Sequence, residues 1–171
     1  QDTSVRKYDV EIKYVDGSIS DIAESIVDYV KSLNLDSPVL LFTNSRGEAE
    51  FLASILKEKT DIPIELHHGS LSKEVREETE NSLREGRFGI VVCTSSLELG
   101  LDIGSVELVI HYGSPRQVSK LVQRIGRSKH NRESSAKGLI ITNNADDEYE
   151  TRAILDRVTE GSIEEQKIHD G

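Results

Sequence analysis

Methionine and tryptophan are absent from these 171 residues, cysteine occurs once, proline three times, and aromatic side chains make up 5% of the chain. Each scarcity excludes something. A single cysteine cannot form an internal disulfide, so stability must come from an apolar core, and a reducing, cytoplasmic setting is expected. Cys93 lies in the run Ile90-Val91-Val92-Cys93 and reads as a buried strand residue, with a reactive thiol as the alternative. No apolar run approaches the roughly 20 residues of a membrane span, and no signal peptide opens the chain, so no membrane partner is expected. With no methionine even at position 1, and a polar opening QDTSVRKYDVEIKYVDG, the sequence reads as a domain cut from a longer protein. Its length suits one α/β domain over 1–171, with 1–16 as leading strand or linker and 161–171 as an acidic tail or linker.

The net charge of −10 argues against indiscriminate nucleic-acid binding, but the charge is unevenly spread. Tyr112 to Lys137 holds seven basic residues against one acid, Glu133, whereas Ala145 to Gly171 holds nine acids against three bases. Charges farther apart than about 8 Å are largely screened at physiological salt, so a local basic strip can hold phosphates on an acidic domain.

Short apolar runs alternate with helical patterns. KYDVEIKYV, VLLFT, IPIELHH, GIVVCT, VELVIHYG and GLIIT read as strands. SDIAESIVDYVKSLN, AEFLASILKEK, SKEVREETENSLREGR, QVSKLVQRIG and a closing segment from Asp146 to about Glu160 read as helices. Ser45 followed by Glu48 predicts a capping box, and Val75, Thr79 and Leu83 predict one buried stripe. Unbroken apolar strands are buried on both faces, which predicts an α/β fold with a mostly parallel sheet and helices on both sides. Ligands of such sheets bind beyond the carboxyl ends of the strands.

Four loops there are unusual. TNSRGE (Thr43–Glu48) leads hydroxyls and Arg46 into a helix N-terminus, which suits either a phosphate or plain capping. HHGSLSKE (His67–Glu74) invites a metal reading, but adjacent strand residues face opposite ways and no Cys or carboxylate stands at ligand spacing nearby; no metal site is expected. CTSSLELGLDIG (Cys93–Gly104) sets Asp102 between Leu101 and Ile103, where it needs a partner: a backbone cap or a ribose hydroxyl. In LVQRIGRSKH, Arg124 and Arg127 share a helix face, and their guanidinium forks suit phosphate oxygens. The alternative is a solvated basic face opposite the acidic tail.

Taken together, LLFTNSR, CTSSLELGLDIG and QRIGRSKH resemble motifs IV, V and VI of the second RecA-like motor domain of a superfamily-2 helicase of the DEAD/DEAH type. With HHGSLSKEVRE, the wording is most similar to the large helicase-related family of archaea and bacteria. The resemblance covers roughly Val39 to Thr142. It implies a three-layer RecA-like fold of the P-loop NTPase type and an ATP-driven helicase. By position, Arg127 is then the arginine finger, Gln123 couples ATP to the domain interface, and Arg124 assists. Gly100 and Asp102 meet the ATP ribose. Thr43, Ser45, Arg46, Thr94 and Ser95 touch the tracking strand, and His67, Gly69 and Ser70 line its path. Many relatives carry a second arginine where this chain has His130; Arg124 or Lys129 could replace it.

The sequence contains no G-x-x-x-x-G-K-[ST] loop and no Asp-Glu pair after a strand. In this superfamily both belong to the first motor domain, which therefore holds most of the ATP and the Mg²⁺. The expected partners are that first domain and single-stranded or duplex nucleic acid, with DNA favoured over RNA. Alone, the domain is expected to be inactive. A binding module without motor function, or a plain nucleotide-binding domain, are the other readings, although no G-x-G-x-x-G loop supports a dinucleotide site.

Overall fold

The structure, a computed structural model, describes residues 9–68, 71–94, 106–113, 137–146, 149, 152, 153 and 156. Among them the chain runs β1 (Asp9–Tyr14), α1 (Ile19–Ser32), β2 (Pro38–Phe42), α2 (Arg46–Lys59), β3 (Ile64–His67), α3 (Lys73–Glu85), β4 (Gly89–Cys93), β5 (Leu108–Tyr112) and β6 (Lys137–Thr142). The six strands form one sheet in the order β1-β6-β5-β2-β4-β3, and every pairing is parallel. Residues 9–14 therefore belong to the sheet rather than to a linker. Of the closing helix, Ala145, Asp146, Tyr149, Arg152, Ala153 and Asp156 are described, and all are helical. No helix among the described residues is long and apolar enough to cross a membrane.

The β1-to-β2 and β2-to-β3 connections advance in the same direction across the sheet, and right-handed crossover puts α1 and α2 on one face. The β3-to-β4 connection runs backwards, so α3 lies on the other. Packing agrees with this. Val39 and Leu41, Ile90 and Val92, Leu108 and Ile110, and Leu139 and Ile141 meet Ile22 and Ile26 of α1 and Leu52 and Leu56 of α2 in the main core. The alternate residues Leu40, Phe42, Val91, Cys93, Val109 and Ile140 are buried as well, as unbroken apolar strands require. Cys93 has no exposed surface and its thiol lies 3.6 Å from the Leu41 carbonyl, which is the place of a strand residue.

Helix ends follow local chemistry. Ser72 Oγ accepts the Val75 N–H at 3.2 Å to start α3, and Gly86, at φ 76°, ends it in the left-handed conformation that glycine adopts at least cost. Two expectations need correction. Thr79 and Leu83 are buried, but Val75 is 43% exposed: it stands in the first turn of α3, which packs on β3, the last strand of the sheet among the described residues. The Ser45–Glu48 capping box is half formed. Ser45 Oγ accepts the Glu48 N–H at 3.1 Å, but the Glu48 carboxylate reaches one residue further and accepts from Asn44 N at 3.2 Å.

Leu41 sits at the centre of the main core with no exposed surface. Leu41→Ala is expected to lower unfolding free energy by about 3 kcal/mol, whereas Val75→Ala changes it by less than about 0.5 kcal/mol. Urea titration of the two variants measures both.

Candidate nucleic-acid interface

Three adjacent strands end side by side, and a backbone hydrogen bond carries each ladder one step beyond its last strand residue. Thr43 N donates to Cys93 O at 2.9 Å, across from β2 to β4. Thr94 N donates to His67 O at 3.2 Å, across from β4 to β3. Thr43, Thr94 and His67 thus stand in a row, with neighbouring strands about 4.8 Å apart. These are residues from three of the unusual loops, far apart in the chain.

The first loop turns tightly into α2. Thr43 is 4% exposed, and its hydroxyl donates to Ser45 O at 2.9 Å. Ser45 is exposed; its oxygen accepts from Glu48 N, which leaves its own O–H as a donor. Arg46 is exposed at the first position of α2, where the helix dipole adds partial positive charge. Beside this turn, Gly113 follows β5 at φ 113°, and a Cβ there would lie 3.0 Å from Asn44 Nδ2. Only glycine lets the two loops close to this distance without strain. Tyr112, just before it, is buried, and burial first and the Glu48 carboxylate second push its phenol pKa up.

At β3 the two histidines part as strand geometry demands. His67 Nε2 lies 2.9 Å from Glu80 Oε2 on α3, and His68 Nε2 lies 2.8 Å from Glu50 Oε2 on α2. Both imidazoles are buried. No group of three or more His, Cys, Asp or Glu side chains among the described residues could hold a metal ion.

The structure therefore brings together Thr43, Ser45, Arg46, His67 and Thr94. Gly69, Ser70, Ser95, Gly100, Asp102, Gln123, Arg124, Arg127, Lys129 and His130 lie outside the described residues. Sequence reasoning missed Glu80, Glu50 and Gly113. Pairings across 13 and 18 residues leave no local signal, but a glycine directly after the apolar strand LVIHY was a visible sign of a tight approach.

An all-parallel six-stranded sheet in this order, with loop chemistry gathered beyond its carboxyl ends, defines a RecA-like domain of the helicase type. Solved structures share it. The helicase Lhr of Mycobacterium smegmatis, determined with ssDNA and AMP-PNP, superposes with a TM-score of 0.69 at 34% identity, over 82% of this chain and 20% of that one. Domain 2 of the DEAD-box helicase Mss116p, bound to an RNA duplex, gives 0.63 at 25% identity, over 78% and 54%. Residues 8–131 match the helicase conserved C-terminal domain, and the chain belongs to that family. The ATP-dependent helicase Lhr-Core of Methanothermobacter thermautotrophicus is 40% identical over 154 residues, and that of Methanocaldococcus jannaschii is 39% identical over 176. The chain spans 18% and 21% of their lengths, about a fifth of each relative.

The phenol of Tyr112 is expected to ionise above its ordinary value near 10. Glu48→Gln lowers it only in part, because burial is the larger cause. Ultraviolet difference titration of wild type, Tyr112→Phe and Glu48→Gln reads both.

Proposed function

We propose that this domain is the second half of an ATP-driven DNA motor, closing on a first RecA-like domain of the same protein around ATP and a single strand. The observation that carries the reading is the row formed by Thr43, Thr94 and His67 across β2, β4 and β3, with the capped start of α2 beside it. Ser45 and Arg46, exposed at that start, and Thr94 carry hydroxyl and guanidinium groups of the kind that hold phosphates without reading bases. Thr43 and His67, being buried, act beneath them. Gly69, Ser70 and Ser95 are assigned to the same path by the motif resemblance.

Arg127 is the residue assigned to the γ-phosphoryl group, where its guanidinium stabilises charge that develops during transfer. Gln123 and Arg124, close to it in sequence, are assigned to its coupling with the domain interface. Gly100 and Asp102 take the ribose. Mg²⁺ and the phosphates are held chiefly by the first domain, because the G-x-x-x-x-G-K-[ST] loop is missing here. Opening and closing of the two domains then advances the strand. The ssDNA in the Lhr complex of M. smegmatis, at 34% identity, supports DNA over RNA as the track.

The test is the ATPase rate of this domain joined to its first domain, with and without single-stranded DNA or RNA. DNA is expected to stimulate hydrolysis, and Arg127→Ala to lower kcat by about a thousandfold or more while leaving DNA binding in place. The isolated domain is expected to show no turnover. A DNA-binding protein whose ATPase ignores Arg127 would instead be a binding module that has kept the motor fold.

A further inference from the structure

β3 is an edge strand. Among the described residues it pairs with β4 alone, so its carboxyl end lacks the second ladder that fixes the ends of β2 and β4. Two consecutive histidines stand at that end, 1% and 2% exposed, and each is tied to a different helix layer. An ionised carboxylate only accepts, so each Nε2 donates: His67 to Glu80 of α3, His68 to Glu50 of α2. The side chains thus pin the strand end from above and below the sheet.

The peptide groups of these residues hold the neighbouring loops. His67 O accepts the Thr94 N–H, and His68 O accepts the Leu71 N–H, both at 3.2 Å. The first bond places Thr94 and the second ties down Leu71, directly before the Ser72 cap of α3. Any tilt of the β3 end therefore moves two segments of the proposed DNA path together.

We infer that the His67–Glu80 and His68–Glu50 pairs form a positioning clamp for DNA binding, in which neither histidine touches the strand. This rests on the motor reading above. The two pairs are unequal. Glu80 is 26% exposed and Glu50 is 56% exposed, so solvent screens the second pair more and it contributes less. The clamp sets where Thr94 and Leu71 stand, which governs the DNA concentration needed for stimulation. It does not touch the γ-phosphoryl site.

The experiment measures DNA-stimulated ATPase in the full-length protein, recording the DNA concentration for half-maximal stimulation, kcat at saturating DNA, KM for ATP and the melting temperature. Glu80→Ala is expected to raise the half-maximal DNA concentration about five- to tenfold, the equivalent of one ordinary hydrogen bond. kcat and KM for ATP should move less than about twofold. Glu50→Ala shifts DNA less than Glu80→Ala does, and Glu80→Gln, which keeps an oxygen to accept from Nε2, restores near wild-type response. Where Glu80→Ala does not fold, Glu80→Asp, with the acceptor one methylene short, carries the same comparison. A wild-type enzyme indifferent to DNA overturns the motor reading and the clamp with it. With a stimulated wild type, an unmoved DNA response in the Glu80 variants, or equal shifts in DNA and ATP parameters, overturns the clamp alone.

Discussion

A parallel sheet segregates its ends: every strand delivers its carboxyl terminus to one edge, and every following loop must begin there. In this domain that constraint brings residues from positions 43, 67 and 94 into one row. The row exists because β2, β4 and β3 are neighbours in register, with Phe42 beside Cys93 and Cys93 beside His67. The helix starts that follow, at Ser45 and Ser72, are brought to the same edge. Backbone donors and helix dipoles are thereby concentrated where the sheet stops, and the domain can meet a polyanion while carrying a net charge of −10.

The sheet is held rigid enough to serve this purpose by burial on both faces. One face packs on α1 and α2 through the odd-numbered residues of β2 and β6 and the even-numbered ones of β4 and β5. The alternate set is equally buried. The weak point is the β3 edge, with one ladder instead of two. The hydrogen bonds from His67 to Glu80 and from His68 to Glu50 tie the strand end there, so that structural support and the proposed function meet at the same two residues. Thr43 plays a comparable part at β2: its hydroxyl closes the turn, and exposed Ser45 and Arg46 are carried on it.

Much of this was legible in the residues. The unbroken runs VLLF, GIVVC and LVIHY could only be strands buried on both faces, and the Ser45 cap and the buried Cys93 followed from local pattern alone. The closer details depended on neighbours that a linear pattern does not contain. Val75 has the spacing of a core residue, but it stands in the first turn of α3 and stays exposed. Glu48 was expected to bond Ser45 N and reaches Asn44 N instead, a difference of one residue set by the turn. His67 was read as lining the nucleic-acid path from the resemblance of its motif; its imidazole is buried and reaches Glu80, 13 residues on. The motif VI arginines and the Gly100–Asp102 pair lie outside the described residues, so their roles rest on the motif and the family.

The central claim is that single-stranded DNA lies across the carboxyl ends of β2, β4 and β3. Amide hydrogen exchange with and without single-stranded DNA, in the protein carrying both motor domains and a non-hydrolysable ATP analogue, tests it most directly. The account predicts protection in peptides covering 43–48, 67–72 and 94, and none around Pro38, Pro63 and Phe88, which line a hollow at the amino ends of the same strands. Protection confined to that opposite end, or absent from all three loops while DNA is bound, would contradict it.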